Sequence, residues 1–363
     1  MDNTRITDIR IFETISRISQ PISDATHDIS QIGFLVLEIE TAGGVTGQGY
    51  LLSFAYSPRA ILGALADLAA FVRENEYHVH QTVQLQKDYE RESEYFGIDG
   101  LQRWALATLN VAMWDAWGRH LERPIWQLLG SHTHPIPVYG SGGWLSYTDD
   151  ELLDEVTGYK ARGFRAVKIK VGSREPGRDI ERLRRVRDAV GPDLGIMMDA
   201  NQGMDVPSAL ALSQAAQPLG IRWFEEPIAR DDYAGYETLR RRTKIAVAMG
   251  EREYSTNGLR ELISRSAIDL WQPDIIRIGG VEAWRDSAAL AGAHRIPVLP
   301  HYYKDYDVPL LATIPNAYGA ESFDWIDAII DNPMIIENGE ARLRQSPGWG
   351  FSFRHELLND VPL

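Results

Sequence analysis

The fold class predicted for this 363-residue sequence is α/β: a (β/α)7–8 barrel of the TIM type carrying an N-terminal α+β capping domain. Three observations carry the prediction. From Ile136 onward, short apolar runs alternate with helical stretches and give eight candidate strands. Charged side chains recur where those runs end, at nearly constant spacing. The first 132 residues follow another plan, with strands first and helices after.

Composition narrows the functional classes. Apolar residues at 44% and charged residues at 24% suit a globular chain with a sizeable core. The net charge is −14, and no basic run is longer than the mixed stretch 182–187, which argues against nucleic acid or an anionic membrane as partners. There is no cysteine, so thiolate chemistry and disulfides are excluded. No charged-then-apolar leader and no apolar run near twenty residues is present, and a cytoplasmic protein is expected.

In chain order, residues 6–14 and 33–40 alternate like strands, and the glycines at 43, 44, 47 and 49 mark the turns of a small antiparallel meander. Between those strands lies a polar loop, about 18–32, long enough to be a lid. Pro58 opens a helix with Ile61, Leu62, Leu65, Leu68 and Phe71 on one side, and a second apolar helix is expected over about 100–120. Pro124 restarts a short helix that ends at Gly130, closing the capping domain at 1–132. The barrel is expected over 133–335, with strands at 136–139, 166–171, 195–199, 222–225, 245–249, 270–273, 297–299 and 317–319 and helices such as 151–162 and 180–190 between them. An open doubly wound sheet is disfavoured, because no Gly-rich phosphate fingerprint follows the first strand. The tail, 336–363, carries a turn at 337–340 and aromatics at Trp349, Phe351 and Phe353, and is expected to pack back on the capping domain.

The strand ends hold the candidate chemistry. Lys170, Asp199, Glu225, Glu251, Asp274, His301 and Glu321 end strands two to eight, with Asn201 just beyond the third. Asp199 to Glu225 and Glu225 to Glu251 are both 26 residues, about one βα period. Three carboxylates from adjacent strands, without Cys or His, form an all-oxygen site suited to Mg²⁺, with Mn²⁺ as a second possibility. Glu226 alternates away from Glu225 and is read as structural. Asp274 and His301 end neighbouring strands, where a carboxylate orients an imidazole and raises its pKa. Lys168 and Lys170 point the same way along the second strand, and Lys168 is expected to bring the Lys170 pKa down toward working pH. Glu321 would aid a developing enediolate oxygen if protonated and oppose it as a carboxylate.

These motifs, Lys168-Ile169-Lys170, Asp199-Ala200-Asn201, Phe224-Glu225-Glu226-Pro227, Gly250-Glu251, the Asp274/His301 pair and Glu321, resemble those of the enolase superfamily, mandelate racemase subgroup. The resemblance implies Mg²⁺ on Asp199, Glu225 and Glu251, Lys170 as base on one face of the substrate, and His301 assisted by Asp274 on the other. It also implies that Lys168 and Glu321 contact the substrate carboxylate, with Ser141 and Tyr56 close by. Asn201, Asp24 and His27 complete the expected substrate contacts, and 21–25 looks like the lid of talarate/galactarate-type dehydratases. The expected reaction is abstraction of the proton alpha to a carboxylate, through an enediolate. Its expected form is dehydration of an acid sugar to a 2-keto-3-deoxy acid, with His301 protonating the departing β-hydroxyl, because the lid and the segment 302–307 read as polar. A mandelate-type racemase or epimerase of a 2-hydroxy acid is the alternative. A catalytically idle scaffold is disfavoured by the intact Lys170, His301 and three ligands. The expected partner is a small-molecule carboxylate, and the expected assembly a homo-oligomer.

Overall fold

The computed structural model describes residues 2–175 and 177–362. A four-stranded antiparallel sheet comes first, built from β1 (Ile6–Ser16), β4 (Ile32–Thr41), β5 (Thr46–Leu52) and, from the chain's end, β17 (Asn359–Val361), with β2 (Ile22–Ser23) and β3 (Asp28–Ile29) forming a separate small hairpin. Three helices follow, α1 (Pro58–Asn75), α2 (Thr82–Glu92) and α3 (Leu101–His120), then the single turn α4 (Ile125–Leu128). Thirteen of the α3 side chains are buried, around most of its circumference. A helix that is apolar on all sides must be covered on all sides. Accordingly, α3 packs on β5 and, opposite, on the barrel helix that begins after Asp274. The sheet comes close enough for this because Gly47 and Gly49 lack side chains: a Cβ at either would stand 2.3 Å from the carbonyl oxygen of Ala112 or Thr108.

The barrel runs β6 (Ile136–Gly142), α5 (Asp149–Ala161), β7 (Ala166–Lys170), α6 (Arg178–Val190), β8 (Gly195–Asp199), α7 (Val206–Ala216), β9 (Ile221–Glu225), α8 (Tyr233–Arg242), β10 (Ala246–Met249), α9 (Thr256–Ser264) and β11 (Leu270–Trp271). It continues through α10 (Ile275–Ile278), α11 (Val281–Ala293) and α12 (Lys304–Leu311) to β12 (Ala320–Ser322). β6 to β11 are successive parallel neighbours, and β12 closes the ring by pairing in parallel with β6. Two expected strands differ. The seventh shrinks to Val298, which bridges Trp271 on one side and Ala317 on the other. Pro297 and Pro300 flank it and can donate no ladder hydrogen bond. The eighth begins at Ala320, just beyond the expected 317–319.

Five short strands finish the chain: β13 (Ile330–Asp331), β14 (Ile336–Glu337), β15 (Glu340–Ala341), β16 (Ser352–Phe353) and β17 (Asn359–Val361). β15 pairs with β6 of the barrel, and β17 adds to β1 of the first sheet. Trp349 donates its indole N–H to the Val111 carbonyl at 2.8 Å. The hydroxyls of Tyr303 and Tyr306 each accept a backbone N–H from β5, Leu52 and Tyr50, at 2.9 Å. These bonds fix the first sheet over the barrel mouth. Among the described residues no helix is long and apolar enough to cross a membrane.

Candidate active site

Register places the strand-end side chains side by side. Lys170 pairs with Asp199, and Asp199 with Glu225, so three neighbouring strands present charged groups at one level. All five residues of β7 are buried, and the inward side chains Lys168 and Lys170 must find anions there. Lys168 Nζ is 2.5 Å from Glu225, 2.7 Å from Glu321 and 3.5 Å from Asp199. Lys170 Nζ is 2.6 Å from Asp199. Beneath them, Gln272 Nε2 donates to Glu225 Oε2 at 2.6 Å.

Backbone strain gathers at the same level. Asn201, Gln202, Glu226 and Tyr302 have φ of 42°, 65°, 35° and 65°, each directly or nearly after a strand-end acid or His301. Such conformations in non-glycine residues persist where surrounding contacts enforce them, and they concentrate at functional sites. Glu226 is buried and pairs with Arg252, whose guanidinium also lies 2.8 Å from Glu251.

Asp199, Glu225 and Glu251 each bring an oxygen within 4.8 Å of the others. Glu251 Oε2 is buried with no hydrogen-bond partner. Burial first, then repulsion from Asp199, Glu321 and Glu251 against the attraction of Lys168, push Glu225 up to about 7. Crowded, dry, all-oxygen carboxylates are what a hard divalent cation relieves, so the residues present fit Mg²⁺.

Asp274 caps α10: one oxygen accepts the backbone N–H of Ile276 and of Arg277, both at 2.9 Å. Its other oxygen takes His301 Nδ1 at 2.9 Å, which directs Nε2 toward the site, 3.5 Å from Glu251. Burial alone would lower the His301 pKa, but Glu251 and the Asp274 hydrogen bond outweigh it and raise it. Glu321 accepts the Tyr302 backbone N–H at 2.9 Å. Burial opposes its charge, yet Lys168 and then His301 bring its pKa down to about 2, so it stands as a carboxylate and not as an acid.

The expectation for Lys170 is corrected. Burial and Lys168 do lower its pKa, but Asp199, in direct contact, outweighs both and the net direction is upward. Like-charge repulsion from Lys168 is weakened because that ammonium is itself answered by Glu225 and Glu321.

Above this floor is a cavity of about 280 Å³. Lys170, Asn201, Glu251, Asp274, His301, Glu321, Asp24, His27 and Tyr56 all line it. Lys168, Asp199 and Glu225 lie beneath, outside its lining. Lys168 is thus a buried counter-ion to Glu225 and Glu321 beneath the cavity. Ser141, on β6, is not brought to the cavity either; its backbone pairs with Lys168 of β7 and its hydroxyl is buried without a hydrogen-bond partner. Tyr56 contributes its ring, since its hydroxyl donates to the Asp28 carbonyl at 2.5 Å.

The expected lid is the β2–β3 hairpin, tied to the barrel: Leu145 N–H donates to Ser23 O at 2.8 Å, and Thr26 Oγ1 to Asn201 O at 3.1 Å. Burial works against the charge of Asp24, but the hydrogen bond from His27 and the charge of Lys170 outweigh it and keep its pKa below the usual range. The polar reading of 302–307 is overturned. Tyr302 and Tyr303 line the cavity, but Lys304 is buried against Asp324 and Asp327 at 3.2 and 2.8 Å, Asp305 takes Arg344 at 2.5 Å, and the Tyr303 and Tyr306 hydroxyls face β5. The actual wall is aromatic: Phe54, Trp104, Trp144, Phe323 and Trp325. Phe323 and Trp325 stack at 4.4 Å, and Trp144 lies under Lys170 at 5.3 Å.

Sequence reasoning missed this wall, and it missed Arg252 and Arg277, which bracket Glu251. Both arginines sit within three residues of a predicted site acid, so the strand-end loops already contained the signal. The aromatics come from three separate loops and from α3, with no spacing in common.

Comparison with known proteins places this geometry in a family. Residues 6–130 match the family described as "Mandelate racemase / muconate lactonizing enzyme, N-terminal domain", and residues 151–357 match "Enolase C-terminal domain-like". The chain is 27% identical, over 96% of its length and 98% of the relative's, to 3,6-anhydro-alpha-L-galactonate cycloisomerase of Streptomyces coelicolor. It is also 27% identical, over 93% of its length and 86% of the relative's, to L-talarate/galactarate dehydratase of Salmonella typhimurium. A crystal structure of a Bradyrhizobium enolase complexed with magnesium and mandelic acid superposes with a TM-score of 0.89, at 28% identity and 98% coverage of both chains. With two family patterns matched in order around a carboxylate triad suited to Mg²⁺, this chain is an enzyme of the enolase superfamily, in its mandelate racemase-like subgroup.

Proposed function

We propose that the enzyme is an acid-sugar dehydratase, which removes the proton alpha to the substrate carboxylate, expels the β-hydroxyl as water and yields a 2-keto-3-deoxy acid. One arrangement carries the reading: Lys170 and the Asp274-supported His301 line a single cavity beside Glu251, above the carboxylate triad. When bound, the cation supplies Lewis-acid charge beside the substrate carboxylate. Lys170 takes the alpha proton. Burial and Lys168 both favour its neutral amine; Asp199 opposes them, and Asp199 is a metal ligand in this reading. His301 stands on the other face and protonates the departing β-hydroxyl. Glu321, ionised, fixes Lys168 and the Tyr302 backbone and donates nothing. Asp24, His27 and Asn201 supply polar contacts on the lid side, and similarity to acid-sugar dehydratases and cycloisomerases supports the substrate class.

The test is direct. The enzyme with Mg²⁺ is offered a library of mono- and diacid sugars, and keto acids are trapped with semicarbazide. At least one sugar acid is expected to give a keto acid; silence across the library contradicts the reading.

The aromatic wall favours a second reading, a mandelate-type racemase acting on a 2-hydroxy acid with an apolar substituent. Loss of optical rotation from mandelate-like acids, with no keto acid formed, would support it.

A further inference from the structure

The lid carries a second Asp–His pair. Asp24 accepts His27 Nδ1 at 3.1 Å, as Asp274 accepts His301 Nδ1 at 2.9 Å. Its carboxylate is held in place by the backbone N–H groups of Thr26 and His27 at 2.7 and 2.8 Å, much as the α10 cap holds Asp274. With Nδ1 turned to Asp24, Nε2 is the nitrogen left for a ligand, and both residues line the cavity. Tyr56 stacks on the imidazole at 6.2 Å and 28°.

The pair also has a side. Thr26 is bonded to Asn201, just past Asp199, and Ala25 rests on Gly172 and Gly203, where an added Cβ would lie 2.8 and 2.4 Å from its own. The lid tip thus covers the strand ends that carry Lys170 and Asp199, whereas His301 belongs to the seventh strand. The His27 side chain is 35% exposed, against 16% for His301, so it can recover a proton from solvent after each turnover.

We propose that His27, backed by Asp24, is a second general acid of this site, protonating an oxygen that leaves from the Lys170 side of the substrate while His301 serves one leaving from the opposite side. The inference rests on the dehydration reading. In each case the alpha C–H bond breaks and its proton goes to Lys170. The electron pair becomes the new C=C bond as the C–O bond breaks, and the oxygen leaves with its bonding pair, takes the imidazolium proton and departs as water. Inverting the β-carbon, with the rest of the substrate held in place, moves the hydroxyl from one side to the other. The site therefore accepts both members of a pair of acid sugars epimeric at C3, one through each histidine.

The experiment compares the Mg²⁺-loaded wild type with His27→Asn, His27→Gln and Asp24→Asn on C3-epimeric pairs of aldonic acids in D₂O. Keto acid and deuterium at C2 of recovered substrate are both measured. His27→Asn is expected to lower kcat at least ~100-fold more for one epimer than for the other. Recovered substrate of the affected epimer should gain deuterium, because the alpha proton still comes off and is returned. His27→Gln restores a hydrogen bond but no acid, so KM returns and kcat does not. Equal losses on both epimers, or recovery of kcat with Gln, would overturn the inference and leave dehydration standing. No keto acid from the wild type with any acid sugar would overturn the dehydration reading, and this inference with it.

Discussion

Lys170 Nζ lies 2.6 Å from Asp199 Oδ2, so the amine best placed to take a proton is held by a carboxylate of the metal triad. The ammonium and a bound cation would therefore compete for the same carboxylate. Lys170→Met should bind Mg²⁺ more tightly than the wild type by titration calorimetry, by ~10-fold or more, since a nearby unit charge is removed. Weaker binding in the variant would mean that Lys170 supports the metal site instead of competing for it.

Lys168 is answered by Glu225, Glu321 and Asp199 and lies outside the lining of the active-site cavity. Lys168→Met leaves those buried carboxylates without their cation. Breaking a buried pair from one side costs about 3–5 kcal/mol. A large fall in Tm is expected in EDTA, and added Mg²⁺ should recover part of it, because a ligand that binds only the folded state stabilises it. A Tm unchanged in EDTA would contradict the counter-ion role.

Gln272 acts one layer below the metal ligands, through Glu225. Gln272→Leu is expected to weaken Mg²⁺ affinity about 10–100-fold with little change in Tm. Unaltered affinity would show that Glu225 is oriented without it.

Glu155 accepts the Gly143 N–H at 2.5 Å in the loop that leads to Trp144, and burial raises its pKa. The folded state thus holds this proton more tightly than the unfolded chain. The stability lost by ionising it is absent below the unfolded pKa, grows as pH rises, and is complete above the folded pKa. The Tm of Glu155→Gln relative to wild type should therefore increase from pH 4 to pH 8. A pH-independent difference would refute the assignment.

The ring of strand-end charges was readable because barrel periodicity and charge placement reinforce each other. Asp199, Glu225 and Glu251 fall one βα unit apart, and register then sets them beside one another. Reading failed where tertiary contacts decide. Residues 302–307 look like a polar lining, yet within the core Lys304 pairs with Asp327 and Asp305 with Arg344. Trp104 reaches the cavity from α3, about two hundred residues from His301 in sequence, and local pattern cannot show that. The pKa of Lys170 failed for a related reason: two adjacent lysines suggest repulsion, and only the structure shows how completely Lys168 is neutralised.

The central claim is that Lys170 removes the alpha proton of a carboxylate held over the Asp199–Glu225–Glu251 site while His301 protonates the departing β-hydroxyl. Its most direct test follows that proton in D₂O, with Mg²⁺ and a turned-over acid, for wild type, Lys170→Ala, His301→Asn and the wild type in EDTA. The account predicts alpha C–H cleavage in the wild type, falling by about 10²–10⁴ in Lys170→Ala and ceasing in EDTA, with product loss in His301→Asn. Cleavage at the wild-type rate in Lys170→Ala, or in EDTA, would contradict it.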